Sequence, residues 1–186
     1  VSRRQRQMCI RDRFNALKNI DLSEFDSLAV GPGIGIDNND WQKSKDFLMD
    51  FGGLLILDAD ALNRISESKL GANFFLERKF KTWITPHSKE FGRLFPNIKS
   101  KTNVGLARDA AKEFNISILL KGANSIVADN KKVWQLFGTD SQTARAGLGD
   151  LLSGFVAGSS AIDLTLCRNI STDFFAKYVL LHSFAA

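Results

Sequence analysis

Residues 53–63 read GLLILDADALN, and this stretch decides the fold class. Its first five residues form an uninterrupted apolar run, which is typical of a parallel strand that is buried on both faces. The run stops at Asp58, and Asp60 is a candidate cap for the helix that follows. Two carboxylates therefore come directly after a buried strand, where they can orient a hydroxyl, a lysine or a hydrated metal ion.

The same alternation of strands and helices continues on both sides of this stretch. Strands are expected at residues 27–30, 81–85 and 116–120, and helices at 40–51, 88–95, 103–114, 148–161 and from 173 onward. Asp40 and Ser88 are the expected caps of the helices that begin there. A hairpin is expected about Asp129 and Asn130. The pattern predicts an α/β fold with a mostly parallel central sheet and helices on both faces.

The charge distribution argues against a nucleic-acid-binding protein. The 186 residues carry a net charge of +5, but the first 13 hold five arginines against one aspartate. The other 173 carry 20 basic and 19 acidic side chains, so the body lacks the basic stripe that nucleic acids require. No apolar run approaches the roughly 20 residues of a membrane helix. Cys9 and Cys167 form neither a metal-ligand pair nor a disulfide framework, which favours a reducing cytoplasm.

The first 13 residues, VSRRQRQMCIRDR, differ from the rest of the chain. They lack the apolar segment of a secretory signal, and they have neither a sustained apolar face nor a helix cap. The string QRQMCIRD resembles translated sequencing-adapter sequence. We interpret residues 1–13 as a non-native or disordered tail, with a basic arm or a transit peptide as the alternative. The predicted domain is residues 14–186, and the natural chain is expected to continue upstream of Phe14.

The expected long helix opens with Gly147, Leu148, Gly149 and Asp150. Amide groups at a helix start carry partial positive charge and can hold a phosphate or a developing oxyanion, and glycines let that group approach closely. Asp150 in the first turn can take a proton from a substrate hydroxyl. The alternative is an ordinary helix start after a glycine-containing loop.

Three further groups follow expected strand ends, where parallel sheets bind their ligands. Lys121 and the glycine after it suit a nucleotide phosphate or ribose, or they form a turn with a solvated lysine. His87 faces the same edge. Glu90 can hold magnesium through water, or it forms a capping box with Ser88. Residues 31–35, GPGIG, let a cofactor lie against backbone or simply make a tight turn.

These motifs occur in an order and spacing that resemble one family. In this chain they are GPGIG (31–35), LDADALN (57–63), TPHSKE (85–90), LLKGANS (119–125) and GLGDLLSGFVAG (147–158). Residues 26–186 resemble the ribokinase-like ADP/ATP-dependent NAD(P)H-hydrate dehydratases, which repair NADH or NADPH whose nicotinamide ring has been hydrated. The resemblance implies a hydro-lyase that uses ADP or ATP with Mg²⁺: the ring hydroxyl is phosphorylated, and loss of phosphate restores the double bond.

The resemblance also implies a nucleotide site at the start of the long helix. Amides of Gly147 and Gly149 would neutralise charge on the transferring phosphoryl group, which is a major term in such chemistry. Asp150 would contact the substrate hydroxyl and act as its base. The adenine nucleotide would be held by Lys121, Gly122, Ala123, Asn124, Ser125 and Gly149.

On the substrate side, the resemblance implies that Gly33 and His87 contact the hydrated dinucleotide NAD(P)HX. Asp58 and Asp60 would help to orient it, and Glu90 would hold a metal ion through water. The family further implies a homo-oligomer and an NAD(P)HX epimerase, either fused or separate.

Two alternatives stay open. A small-molecule kinase of the hydroxyethylthiazole kinase type shares the fold and the glycine–aspartate helix start, but such kinases usually have Asn where this chain has His87. A non-catalytic nucleotide-binding remnant is the second alternative, because several residues depart from the family pattern. Arg145, Ala146 and Leu148 stand where the family usually has Thr, Gly and Ser, and Lys89 stands where Gly is common.

The family's domain also begins with several β–α units before GPGIG, and this sequence does not contain them. A sheet that lacks these units is expected to expose a strand edge and an apolar face, which favours aggregation.

Overall fold

The computed structural model describes residues 21–35, 38–137 and 148–166. The strands in these ranges are β1 (Ser27–Val30), β2 (Leu54–Leu57), β3 (Thr82–Ile84), β4 (Ser117–Leu120), β5 (Ile126–Ala128) and β6 (Val133–Gln135). The helices there are α1 (Asn38–Asp50), α2 (Ala59–Glu67), α3 (Asn73–Glu77), α4 (Ser88–Leu94), α5 (Asn103–Phe114) and α6 (Leu148–Leu166). A short 3₁₀ turn, Leu22–Glu24, precedes β1.

The described strands form one sheet in the order β1-β2-β3-β4-β5-β6. The first four strands are parallel, and β4, β5 and β6 pair in antiparallel fashion. Helices connect successive parallel strands, and such crossovers are right-handed. Because the strand order advances in one direction, α1 to α5 all lie on one face of the sheet.

Alternation along each strand divides the core into two layers, since successive side chains point to opposite faces. Leu55 and Leu57 of β2 belong to the larger layer, together with apolar residues of α1 to α5. Ile56 of β2 belongs to the smaller layer, which also contains Val156 of α6. Helix α6 therefore covers the opposite face, where it packs on β1 and β2. This arrangement brings the start of α6 to the carboxyl ends of the parallel strands.

Arg78 ties the end of α1 to the beginning of β2. Its guanidinium donates to the carbonyls of Leu48 (2.6 Å), Met49 (3.1 Å) and Gly53 (2.8 Å), and Nε donates to Thr82 Oγ1 (3.1 Å). Burial lowers the pKa of Arg78 to about 10, so the side chain is still protonated at neutral pH. The positive charge lies at the carboxyl end of α1, where the helix dipole favours a cation.

The predicted fold class is confirmed: the sheet is mostly parallel and has helices on both faces. The bounds of β1 and α5 agree with the sequence prediction. Helix α1 begins at Asn38, so Asp40 lies inside it and is not its cap. Helix α3, a short helix whose Phe74 and Phe75 are buried, was not predicted from the sequence.

The predicted tail, the last helix from residue 173 and Gly147 lie outside the described residues. Among the helices that the structure describes, none combines the length and the hydropathy that crossing a membrane requires.

Candidate active site

The carboxyl ends of β1 to β4 meet at one edge of the sheet, which we call the site edge. Gly31 follows β1, Asp58 follows β2 and Lys121 follows β4. His87 pairs with Lys121 in a single parallel bridge, and the Lys121 amide donates to Pro86 O at 2.8 Å. Residues from four separate strand ends are thereby brought together, as expected for this type of sheet.

Asp58 is the hub of the site edge. Its side chain is buried, with only 2% exposed, yet both carboxylate oxygens have partners. Oδ1 accepts from Lys121 Nζ at 2.7 Å, and Oδ2 accepts from the Ser153 hydroxyl at 2.7 Å. Oδ1 also accepts from the Ala59 amide at 2.9 Å, so that Asp58 is the N-cap of α2. The expectation that Asp60 caps this helix is therefore wrong by two residues.

The first turn of α6 lies directly over this ion pair. A Cβ added to Gly149 would lie 3.6 Å from Lys121 Nζ and 3.8 Å from Asp58 Oδ2. Ser153 Oγ is 3.0 Å from the carbonyl of Gly149 and so ties the helix to the same hub. Asp150, the next residue of this turn, is exposed. The site edge therefore combines an ammonium group and helix-start amides, which suit an anionic ligand, with an accessible carboxylate, which can accept a proton.

His87 and Glu90 form a capping box at the start of α4. His87 Nδ1 accepts from the amides of Lys89 (3.1 Å) and Glu90 (3.2 Å), and Glu90 Oε2 accepts from the His87 amide at 2.9 Å. The cap is His87. Ser88, which was expected to be the cap, is the first residue of the helix. Because Nδ1 accepts, the neutral imidazole carries its proton on Nε2. The His87 side chain is 49% exposed, so this N–H can reach a ligand.

Glu90 is less accessible than a water-mediated metal contact would suggest. Its side chain is 7% exposed, and Oε1 lies 3.4 Å from His87 Nε2. Both oxygens therefore face His87. Within the ranges that the structure describes, no group of three His, Cys, Asp or Glu side chains is arranged to hold a metal ion.

Residues 31–35, the glycine loop, connect β1 to the site edge. Gly31 packs against the backbone of Asp58 at φ +141°, where an added Cβ would lie 1.7 Å from Asp58 O. At the other end, Asp60 Oδ2 accepts from the Gly35 amide at 3.0 Å. Gly33 lies between them at φ +68°, with no atom within 4 Å of an added Cβ. The loop thus presents exposed backbone next to Asp58.

A cavity of about 420 Å³ opens beside Lys121, between β4, the start of α5 and the β5–β6 hairpin. Its walls include three of the residues predicted to bind nucleotide after Lys121. The lining residues are Thr102, Asn103, Val104, Leu120, Lys121, Gly122, Ala123, Asn124, Ile126 and Gln135. Ser125, the last residue of the predicted set, donates from its hydroxyl to the Gly122 carbonyl at 3.3 Å and so braces this turn.

Most of the predicted site residues therefore lie along the site edge or the cavity beside it. Asp60 differs from the others, because its carboxylate accepts a hydrogen bond from the glycine loop and is not directed at a ligand site. Ser153 and Arg64 were not predicted from the sequence, since their partners are 95 and 29 residues away. The sequence GLGDLLSG does place a serine one helical turn after Gly149, and this spacing was the available signal for Ser153.

The fold belongs to the ribokinase-like class. Within that class, residues 3–179 match the family described as NAD(P)H-hydrate dehydratase, and the chain belongs to this family. The family predicted from the motifs is thereby confirmed, and the family assignment does not favour the small-molecule kinase.

Individual relatives agree with this assignment. The bifunctional NAD(P)H-hydrate repair enzyme Nnr of Synechocystis sp. is 34% identical over 143 residues, which cover 76% of this chain and 26% of that protein. The ADP-dependent (S)-NAD(P)H-hydrate dehydratase of Nitrosopumilus maritimus is 31% identical over 156 residues, which cover 82% of this chain and 52% of that protein.

A solved structure resembles the fold as well. The ADP/ATP-dependent NAD(P)H-hydrate dehydratase from Bacillus subtilis, co-crystallized with ATP/Mg²⁺, matches with a TM-score of 0.63 and 25% identity. The match covers 81% of this chain and 53% of that one. The chain thus spans between about a quarter and about a half of the length of these relatives.

Proposed function

We propose that this protein dehydrates hydrated NADH or NADPH back to NADH or NADPH in a reaction that consumes ADP or ATP. The observation that carries the proposal is the position of Lys121: Asp58 holds its ammonium group at 2.7 Å, directly under the first turn of α6. A cation, helix-start amides and an adjacent cavity are the elements that a nucleotide phosphate requires. The family membership of the chain supports the same activity.

The residues fit an adenine nucleotide. Lys121 lines the cavity and also reaches Gly149, so that one end of a ligand in the cavity meets the first turn of α6. Gly122 leaves open space beside its backbone, since no atom lies within 4 Å of an added Cβ. Lys121 and the Gly149 amide would bind phosphate oxygens, and the turn of Ala123, Asn124 and Ser125 would border the sugar. A bound nucleotide supplies the phosphoryl group that turns the ring hydroxyl into a leaving group.

The hydrated dinucleotide would lie against the glycine loop and His87, beside the first turn of α6. Gly33 offers exposed backbone, and His87 Nε2 offers one N–H donor held in place by the capping box. Asp150 is exposed in the first turn of α6, where it would accept the proton of the ring hydroxyl. Asp58 would act through Lys121, because its own carboxylate is buried.

Magnesium, a cytoplasmic location and an epimerase complete the proposal. Mg²⁺ usually binds nucleotide phosphates and keeps several waters, so it does not need a cage of side chains. Among protein groups, Glu90 remains the proposed water-mediated contact. The Synechocystis relative is named as bifunctional, and we propose that an NAD(P)HX epimerase accompanies this dehydratase in the cytoplasm.

The experiment is recovery of near-ultraviolet absorbance when the full chain is mixed with hydrated NADH and ADP, or with ATP in a parallel reaction. We expect recovery with at least one nucleotide. Lys121→Met should weaken nucleotide binding, measured by calorimetry, by about tenfold or more, because hydrogen bonds to charged groups contribute about 1.5–3 kcal/mol. Lys131→Met is the matched control, since Lys131 is exposed in the hairpin turn. Equal loss in both variants, or no recovery with either nucleotide, would contradict the proposal.

A further inference from the structure

We infer that Asp60 and Arg64 are positioning residues: they clamp the glycine loop so that Gly33 is presented to the hydrated dinucleotide. This inference rests on the proposed function. It differs from the expectation that Asp60 contacts the substrate, and it adds Arg64, to which no role had been given.

The clamp holds both polar groups of a single residue. Asp60 Oδ2 accepts from the Gly35 amide at 3.0 Å. Arg64 donates to the Gly35 carbonyl from Nε at 3.1 Å and from Nη2 at 2.7 Å. Asp60 and Arg64 are four residues apart on α2, so they lie on the same face of that helix. Gly35 is therefore fixed from the amide side and from the carbonyl side by one rigid element.

The opposite end of the loop is fixed by a different contact. Gly31 packs so closely on the backbone of Asp58 that a side chain would not fit there. The Ile34 amide donates to the Gly31 carbonyl at 3.3 Å and closes the turn. Both ends of the loop are thus held by α2 and its N-cap residue Asp58, and Gly33 between them is the exposed residue of the loop.

The chemistry of the clamp makes it stiff. Its three hydrogen bonds all involve a charged side chain, and such bonds are stronger than those between neutral groups. Arg64 is only 3% exposed, so water has little access to replace the Gly35 carbonyl. A lysine could not copy the planar fork that places two donors on one carbonyl oxygen.

The clamp should affect binding of the hydrated dinucleotide but not binding of the nucleotide. The glycine loop follows β1, whereas the proposed nucleotide site lies around Lys121 after β4. Loosening the clamp should therefore weaken binding of the hydrated dinucleotide and leave nucleotide binding unchanged. A general loss of fold would weaken both together.

The test uses the full chain with Asp60→Ala, Asp60→Asn and Arg64→Lys. Two readouts are needed: the KM values for hydrated NADH and for the nucleotide, and hydrogen exchange of the four backbone amides within residues 31–35, since Pro32 has none. For Asp60→Ala and Arg64→Lys we expect the KM for hydrated NADH to rise about fivefold to tenfold with the KM for nucleotide unchanged, because small misplacements of binding groups are costly. Loop exchange should accelerate about tenfold in both variants.

Matched controls come from neighbouring positions. Glu67→Ala removes an exposed carboxylate from the same helix, and Arg93→Lys changes an arginine that donates to Asn63 Oδ1 at 2.6 Å. Neither should alter either readout. Asp60→Asn keeps an acceptor oxygen for the Gly35 amide, so it should restore most of the wild-type KM that Asp60→Ala loses.

The outcomes separate the two proposals. If wild type restores no absorbance, the proposed function fails, and loop exchange alone then decides whether the clamp exists. If wild type is active but Asp60→Ala leaves loop exchange and the KM for hydrated NADH unchanged, the clamp inference is overturned. It is also overturned if both KM values rise together, or if Asp60→Asn is as impaired as Asp60→Ala.

Discussion

Lys121 Nζ lies 2.7 Å from Asp58 Oδ1, and this contact joins the carboxyl ends of β4 and β2 across the intervening strand β3. The two residues are 63 positions apart in the sequence. The Lys121 side chain is 26% exposed whereas that of Asp58 is buried, so the pair presents its cationic side to the site. Asp58 therefore fixes where the positive charge of the site edge can be.

Replacing Asp58 should cost both stability and function. In Asp58→Asn the Lys121 ammonium loses its counter-charge. We expect the free energy of unfolding to fall by about 2 kcal/mol, a loss between those measured when exposed and buried ion pairs are broken. Nucleotide affinity should fall with it. Urea unfolding measures the first effect. Asp109→Asn is the control, since its pair with Arg108 is exposed and should contribute less than about 0.5 kcal/mol. Equal effects in both variants would contradict the hub role of Asp58.

The sequence was sufficient to predict which strand ends carry the polar residues of the site edge, because apolar runs such as LLIL in β2 stop abruptly at polar residues. Parallel strands bring their carboxyl ends to one edge, so Asp58, His87 and Lys121 were correctly expected near one another. Which atoms meet there could not be predicted. The contact between Asp58 and Ser153 depends on how α6 crosses the opposite face of the sheet, and no local pattern encodes that crossing.

Helix caps illustrate the same limit on a smaller scale. Asp58 and Asp60, like His87 and Ser88, are neighbouring residues that can all accept from amides at a helix start. The choice depends on where the chain leaves the strand. Pro86 favours an extended conformation for the residue before it, and the first residue free to turn after it is His87, which becomes the cap. Sequence patterns fix helix starts only to within a residue or two.

Gly31 should tolerate no side chain. In Gly31→Ala the new Cβ would overlap Asp58 O, and the φ of +141° is itself unfavourable for alanine, so we expect a loss of about 3 kcal/mol or more in unfolding free energy. The matched control is Gly92→Ala in α4, where no atom lies within 4 Å of the added Cβ. That change should stabilise the protein by about 0.5–1 kcal/mol, because alanine favours helix. Thermal unfolding of both variants measures the contrast, and a stable Gly31→Ala protein would refute the close approach.

Loss of Arg78 should destabilise the fold more than loss of the exposed Arg108. Arg78→Met leaves the carbonyls of Leu48 and Gly53 without this donor, and we expect a loss of about 3 kcal/mol, since each unsatisfied buried polar group costs about 1–3 kcal/mol. Arg78→Lys should recover part of this loss, because one ammonium group cannot reach all four acceptors. Arg108→Met, at an exposed ion pair, should change the unfolding free energy by less than about 0.5 kcal/mol. If denaturant titration gives Arg78→Met and Arg108→Met the same unfolding free energy, Arg78 does not stabilise the junction between α1 and β2.

The two roles of His87, capping of α4 and donation from Nε2, should be separable by substitution. Asparagine is a good N-cap, so His87→Asn should keep the unfolding free energy within about 0.5 kcal/mol of wild type, whereas His87→Ala should lose about 1 kcal/mol. Both variants lack the Nε2 donor, and both should therefore raise the KM for hydrated NADH. Ser88→Ala tests the cap itself: because Ser88 is the first residue of α4 and not its cap, stability should be unchanged. Full turnover in His87→Asn would mean that His87 only caps the helix, and a loss of about 1 kcal/mol in Ser88→Ala would return the cap to Ser88.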